Sequence, residues 1–180
     1  LERRSHGTLN DYITAIAWSS NGSLAIASAA GEILLANPET QAEIILQAAN
    51  GQSIDCLAFS ADGHYLAAGG QSGQLLIWSL NSPSHPSTHP PIHPPTLLPH
   101  RRTWLDRLTW NPTRNELAFS LGRHAQIWDA EAAEIITTLQ FENSSVLDLA
   151  WHPQGQHLAV SGHQGIKIWP RDDWDADPAV

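Results

Sequence analysis

The chain has little of several residue types that mark particular classes of protein. It contains one cysteine, Cys56, and therefore cannot form an internal disulfide. It has no methionine and a single lysine, Lys167. Nine Lys and Arg residues stand against eighteen Asp and Glu residues, which gives a net charge of −9. This balance argues against a duplex nucleic acid partner, because neutralising phosphates requires clustered positive charge.

Long hydrophobic runs are also missing. No apolar stretch approaches the roughly 18 residues needed to cross a bilayer, and no charged-then-apolar signal segment opens the sequence. A lone cysteine is compatible with a reducing compartment. These features predict a cytoplasmic protein with no membrane partner. Hydrophobic residues make up 42% of the chain and charged residues 15%, which predicts a globular core.

What is present is a repeat. Four segments align on an aromatic anchor residue, and the anchors are Trp18, Phe59, Trp110 and Trp151. The first and last pairs of anchors are each 41 residues apart, and the middle step is 51. A second series, Trp78, Trp128 and Trp169, lies 18 or 19 residues after the anchors of the last three segments. Because the two series keep a nearly constant spacing from each other, they indicate a structural repeat rather than chance.

Each repeat reads as four short strands. Apolar residues alternate before each anchor, as a half-buried strand requires. Turn residues such as Asn21-Gly22 and Asp62-Gly63 follow, and a strand of small residues comes next. A third strand ends at Trp or, in the first repeat, at Ala36. The segments EIIL (residues 43–46) and EIITTL (residues 134–139) are predicted to form fourth strands. No segment has a helical period, so the prediction is an all-β fold in which each repeat is one propeller blade.

These residues resemble the WD-repeat β-propeller proteins, in a degenerate and bacterial style. The shared elements are the aromatic anchor with its Asn/Asp-Gly turn, the small strand with Ser28, Ser120 and Ser161, and the terminal Ile-Trp pair. Trp128-Asp129 alone retains the Trp-Asp dipeptide. The Asp that precedes the third strand in strong WD repeats is replaced by Ser72 and His163. The resemblance therefore implies that the family's buried polar network, which bonds the Trp, is largely absent.

The predicted organisation is a single propeller segment over residues 1–180. Its repeats span about 1–40, 41–81, 94–131 and 132–175. WD propellers have about six to eight blades and propellers in general about four to eight. Four repeats therefore predict an incomplete ring with two apolar blade faces exposed, which favours self-association. The alternatives are closure as a four-bladed ring or as an oligomer.

Residues 82–100 form an insert that explains the longer middle step. It contains seven prolines, so we expect an extended surface loop with polyproline character. Four histidines lie in it: His85, His89, His93 and His100. Steps of four residues turn successive imidazoles apart in a polyproline helix. A linker is therefore the favoured interpretation, and binding of Zn²⁺ or Ni²⁺ is the alternative.

Candidate partner-binding residues lie before the anchors. They are Asp55, Trp104, Asp106, Arg107 and Asp148. Four of them are charged residues near the starts of first strands, where they could approach one rim of the ring; the simpler interpretation is that they are polar positions of alternating strands. Trp104 belongs to neither tryptophan series, so it packs at a strand edge or makes an exposed contact.

The sequence contains no nucleophile motif, phosphate loop or compact ligand set. We therefore expect no cofactor and no catalysis. The predicted function is a scaffold that binds a protein or peptide on the propeller rim. Metal handling by the insert is the first alternative, and an enzyme-associated propeller domain is the second.

Overall fold

The structure is a computed structural model that describes residues 9, 11–80, 96–99, 103–142 and 144–179, with the backbone alone for 96–99. The described residues form fifteen strands in four antiparallel sheets and no helix, which confirms the all-β prediction. Each sheet is a blade whose strands pair in chain order, so every blade is a simple meander. Hairpins of this kind need only short turns, which the repeat supplies.

The first two blades contain eight strands. Blade 1 consists of β1 (Ile13–Trp18), β2 (Leu24–Ser28), β3 (Ile33–Asn37) and β4 (Ala42–Gln47). Blade 2 consists of β5 (Ile54–Phe59), β6 (Tyr65–Gly70), β7 (Gln74–Ser79) and β8 (Thr96–Pro99).

The last two blades contain seven described strands. Blade 3 consists of β9 (Leu108–Trp110), β10 (Glu116–Leu121), β11 (His124–Asp129) and β12 (Glu134–Gln140). Blade 4 consists of β13 (Asp148–Trp151), β14 (His157–Gly162) and β15 (Gly165–Pro170).

The sheets are offset from the sequence repeats. Strand β4 lies in the predicted repeat 41–81 but pairs with β3 of the preceding sheet. Strand β12 lies likewise in the predicted repeat 132–175 and pairs with β11. A blade therefore takes its outermost strand from the start of the following sequence repeat.

The loop prediction for 82–100 is wrong at its C-terminal end. Residues Thr96–Pro99 form β8, which pairs with β7 from Gln74↔Pro99 to Ile77↔Thr96. A proline is tolerated there because β8 is the outer strand, and an edge residue does not need to donate on its free side. The histidines His85, His89, His93 and His100 lie outside the described residues, as does the N-terminal segment 1–8.

The core consists of three apolar layers, one between each pair of consecutive blades. The layer between blades 1 and 2 centres on Trp78, that between blades 2 and 3 on Trp110 and Trp128, and that between blades 3 and 4 on Trp169. The first strands contact one another in order, β1 with β5, β5 with β9 and β9 with β13. The blades therefore form an arc, with the first strands innermost.

Two buried indoles confirm the missing polar network. Nε1 of Trp78 and Nε1 of Trp128 are buried without a hydrogen-bond partner among the described residues. A buried donor left unpaired costs about 1–3 kcal/mol, so these blades depend on apolar packing more than strong WD repeats do. The small second strand serves that packing, because Ala25, Ala67 and Ala118 are fully buried between sheets.

The chain after β15 turns back along that strand. The Ile168 N–H donates to the Ala179 carbonyl at 2.9 Å, and the Ala179 N–H donates to the Ile168 carbonyl at 3.0 Å. Trp174 also packs edge-on against Trp151, with ring centroids 5.9 Å apart. The tail thus occupies part of the place that a fourth strand has in the other blades.

A matched pair of glycines tests the contact between blades 3 and 4. Gly22 and Gly155 occupy the same hairpin turn, with φ of +84° and +71°. A side chain at Gly22 meets nothing, whereas one at Gly155 overlaps Asn111 Oδ1 and Thr113 Oγ1 of blade 3. We expect Gly22→Ala to cost about 1 kcal/mol through backbone strain alone, and Gly155→Ala to cost clearly more.

Urea unfolding of the two variants measures that difference. Equal losses of unfolding free energy would contradict the packing of this turn against blade 3. The Asn111 amide, which donates to the Gly155 carbonyl at 3.0 Å, would then have no part in holding the blades together.

Candidate functional site

The predicted site residues gather where the first strands begin. We call that end of the blades the upper rim, and the end where the first strands finish the lower rim. Asp55 and Asp106 both stand four residues before an anchor, and Arg107 and Asp148 both stand three residues before one. Equivalent spacing therefore places these four residues at equivalent heights on three consecutive blades.

The backbone around Trp104 is fixed between blades 2 and 3. Leu105 is fully buried, and its side chain fills the space beside Gly69, where any added side chain would overlap it. The Leu105 N–H donates to the Gly70 carbonyl at 3.2 Å, and its carbonyl accepts the Cys56 thiol at 3.4 Å. This buried residue holds its two neighbours, Trp104 and Asp106, at the surface.

Trp104 is 62% exposed, so its side chain is a surface group rather than a strand-edge packer. Tyr12, which stands at the same distance before its anchor in blade 1, is also exposed. Leu147 of blade 4 adds a further exposed apolar side chain beside Asp148. Apolar and aromatic groups therefore accompany the charges along the upper rim.

Arg107 and Asp148 form an ion pair between blades 3 and 4, with Nε 3.6 Å from Oδ1. Both side chains are more than half exposed, and such pairs contribute at most about 1 kcal/mol to stability. The backbone of Arg107 is fixed by Ser120, whose hydroxyl accepts its N–H at 3.2 Å. The pair therefore contributes little to holding blades 3 and 4 together. It places two opposite charges in a fixed orientation at the surface.

Asp55 belongs to blade 2 and has a different partner. Its Oδ1 accepts a hydrogen bond from the Ser53 hydroxyl at 2.6 Å. The neighbouring Cys56 is held as a neutral thiol, because burial and the nearby Asp55 carboxylate raise its pKa to about 12. A neutral, half-buried thiol is a poor nucleophile, so Cys56 adds packing and not reactivity to the upper rim.

A second feature, on the lower rim, has no counterpart in the sequence prediction. A cleft of about 780 Å³ is lined by turns of blades 2 and 3 and by Arg171, which follows β15 of blade 4. Its lining includes four carboxylates and two guanidinium groups: Asp62, Glu116, Asp129, Glu131, Arg114 and Arg171. The sequence contains only a weak signal for this cleft, because acidic residues are common in turns and the residues that line it come from segments far apart in the chain.

Hydrogen bonds fix the cleft's carboxylates within the fold. Partial burial raises the pKa of Asp62, but hydrogen bonds from the Ser60 hydroxyl, the His64 N–H and the Asn115 amide outweigh it and hold the pKa below its ordinary value. The Asn115 amide donates to Asp62 Oδ2 at 2.9 Å, which joins blades 2 and 3. These carboxylates already serve turns and blade contacts.

The described residues contain no group of three or more His, Cys, Asp or Glu side chains placed to hold a metal ion. The histidines for which metal binding is the alternative prediction lie outside those residues. Over the same part of the chain, no helix has the length and hydropathy to cross a membrane.

Comparisons with known proteins agree with this architecture. The sequence model of the Vps8 β-propeller matches residues 4–168. The chain is 29% identical over 115 residues to the small ribosomal subunit protein RACK1 of Caenorhabditis elegans, covering 58% of this chain and 32% of that protein. It is 26% identical over 170 residues to the human WD repeat-containing protein 18, covering 88% of this chain and 38% of that protein.

A third relative is the chromatin assembly factor 1 subunit FAS2 homolog of Oryza sativa, 29% identical over 122 residues, which are 67% of this chain and 24% of that protein. A chain in the crystal structure of the mitotic checkpoint complex superposes with a TM-score of 0.71 at 22% identity, over 93% of this chain and 48% of that one.

The chain thus spans between about a quarter and two fifths of the length of these three curated relatives. The Vps8 match covers more than half of the chain, and the described strands form antiparallel blades, as the repeat predicts. This chain therefore belongs to the Vps8 β-propeller family, among the WD-repeat β-propeller proteins.

Proposed function

We propose that the chain is a non-catalytic scaffold whose upper rim binds a protein or peptide partner, and that it acts in the cytoplasm. The names of its relatives support the class of function: they describe a subunit of a chromatin assembly factor, a ribosomal subunit protein and a component of a checkpoint complex. The chemistry of the rim supports the kind of partner that we propose.

The observation that carries this proposal is the exposed Trp104 beside the buried Leu105. Binding hot spots are enriched in Trp, Tyr and Arg, because these side chains give large contact areas. An anchor held by a rigid backbone also loses little conformational freedom on binding. Trp104 meets both conditions, since Leu105 is seated against Gly69 of the neighbouring blade.

The charges around Trp104 indicate what the partner presents. Asp106 lies next to the buried Leu105, and the Arg107–Asp148 pair lies across the following blade boundary. A partner segment with an apolar side chain for Trp104 and polar groups of both signs fits this surface. Asp55 lies on the other side, on blade 2, and extends the acidic part of the rim.

Substitution at Trp104 tests the proposal. We expect Trp104→Ala to weaken binding of the partner by at least about 2 kcal/mol, which is about 30-fold in Kd. Asp148→Ala frees Arg107 from its ion pair and changes the affinity less, because exposed charges act chiefly on association rate. Partners captured by the wild-type chain, identified by mass spectrometry, supply the ligand for titration by calorimetry.

The matched control is Glu131→Ala, an exposed residue of the lower-rim cleft. It leaves the affinity unchanged if the partner binds the upper rim. A loss of binding in Glu131→Ala with none in Trp104→Ala would overturn the choice of rim and point to the acidic cleft.

Metal handling by His85, His89, His93 and His100 is a separate proposal. No contact among the described residues supports it. Calorimetric titration with Zn²⁺, comparing the intact chain with one that lacks residues 82–95, tests it without removing β8. Equal heats from the two chains would exclude this segment as a metal site.

A further inference from the structure

One position of the second strand differs from blade to blade, and we call it the variable position. It lies three residues after the leucine that pairs with the anchor and opposite the residue three before that anchor. The residues found there, from blade 1 to blade 4, are Ala27, Gly69, Ser120 and Ser161. Those of blades 2 and 3 both contact the segment 104–107, which contains four of the residues that lead into the anchor of blade 3.

In blade 2 the lack of a side chain at the variable position makes room for Leu105. A Cβ atom added at Gly69 would overlap Leu105 Cδ2 and lie 3.2 Å from Cys56 Sγ. Leu105 is fully buried there, and its N–H donates to the carbonyl of the next residue of the strand, Gly70, at 3.2 Å. The φ angle of Gly69 is not in the left-handed region. The requirement for glycine is therefore steric and comes from Leu105.

In blade 3 the side chain at the variable position holds the other end of the same segment. The Ser120 hydroxyl accepts the Arg107 N–H at 3.2 Å, and the Ser120 N–H donates to the Arg107 carbonyl at 2.9 Å. Ser120 is buried, so water does not compete for these bonds. Segment 104–107 is thus fixed by blade 2 at Leu105 and by blade 3 at Arg107.

These two fixed points control the exposed side chains between and beside them. Trp104 and Asp106, the two neighbours of Leu105, are both exposed. A displacement of Leu105 therefore carries Trp104 with it, because a single peptide unit joins them. In blades 2 and 4 a serine, Ser53 or Ser145, stands at the place of Trp104. Glycine at the variable position and an exposed tryptophan thus occur together at one blade boundary of the described chain.

We propose that Gly69 and Ser120 are positioning residues of the partner-binding surface, which together set where Trp104 and Arg107 stand on the upper rim. The inference rests on the proposed function, because Trp104 is the anchor of that surface. It assigns the geometry of recognition to two buried residues of second strands. Such residues act through the backbone that they hold, since an anchor binds well only where its position is fixed before binding.

Fluorine NMR of the chain labelled with fluorotryptophan tests the positioning directly. The Trp104 and Trp169 resonances are identified by their loss in Trp104→Phe and Trp169→Phe. We expect Gly69→Ala to shift the Trp104 resonance and to leave that of Trp169 in place, because Leu105 must move out of the overlap. Adding Leu105→Val, which removes both Cδ atoms, returns the Trp104 resonance towards its wild-type position. The matched control is Gly165→Ala, which shifts neither, since a Cβ atom there meets nothing within 4 Å.

Calorimetric titration with the partner protein identified on the wild-type chain measures the effect on recognition. Gly69→Ala is expected to raise the Kd about tenfold and Ser120→Ala about threefold, because a displaced anchor loses part of its contact. Leu105→Val in the Gly69→Ala background recovers affinity although it removes buried atoms, which loss of stability alone would not explain. Ser161→Ala is the control and leaves the Kd unchanged, because the Ser161 hydroxyl makes no hydrogen bond among the described residues.

Two results would overturn this inference and leave the proposed function standing. One is an unshifted Trp104 resonance in Gly69→Ala. The other is an unchanged Kd in Gly69→Ala when Trp104→Ala weakens binding. If Trp104→Ala itself leaves the Kd unchanged, the proposed function fails, and the binding role of Gly69 and Ser120 fails with it. Far-ultraviolet circular dichroism confirms that each variant is folded before its spectrum or Kd is interpreted.

Discussion

We expect the Trp169→Ala variant to lose about 3–5 kcal/mol of unfolding free energy, since that is the usual cost of removing a buried indole from a core. Trp169 is 5% exposed and packs among Leu149, Leu158 and Val160 in the layer between blades 3 and 4. Urea unfolding, followed by circular dichroism, measures the loss.

Trp104→Ala provides the control for that measurement. It removes the same side chain from a position that is 62% exposed, so its unfolding free energy is expected to change by less than about 1 kcal/mol. If the two variants lost the same stability, Trp169 would not be part of the inter-blade core. A negligible loss in Trp169→Ala alone would have the same meaning.

Replacing Arg171 by leucine is expected to have the second largest effect. Its guanidinium bonds both oxygens of Glu116 on β10, and the Nε atom lies 3.1 Å from Oε1 and 3.2 Å from Oε2. The Glu116 side chain is 4% exposed, so without Arg171 a buried carboxylate loses its counter-ion. Removing one partner of a buried pair costs about 3–5 kcal/mol. We expect about 3 kcal/mol, because Arg171 itself is partly exposed.

A double-variant cycle separates the ion pair from simple loss of packing. In a Glu116→Gln background no buried charge remains, so Arg171→Leu is expected to cost much less than it does in the wild type. Arg123→Leu removes an exposed arginine and serves as the control. Equal costs of Arg171→Leu in the two backgrounds would show that the charge of Glu116 does not need this partner.

The same ion pair shows a limit of the sequence analysis. Arg171 and Glu116 are 55 residues apart, and the tail that contains Arg171 has no repeat signature. The closeness of Arg107 and Asp148 was easier to foresee from the sequence, because both residues stand three positions before an anchor. Contacts that follow the repeat could thus be anticipated, and contacts of the irregular segments could not.

Strand β8 shows another limit. Seven prolines in residues 82–100 indicated a loop, and a proline does lower the tendency to join a central strand. The arrangement of blade 2 reverses that prediction for Thr96–Pro99, because β7 offers a free edge and an outer strand tolerates proline.

By itself the sequence determined the all-β fold, the first three strands of each blade and the place of Trp78, Trp128 and Trp169 in the core. These depend on alternation and turns, which are properties of neighbouring residues. Only the tertiary structure decided that Trp110 is buried while Trp18, at the same place in the same motif, is exposed. The reason is physical: burial of a blade face depends on the neighbouring blade, whose residues lie about 40 positions away.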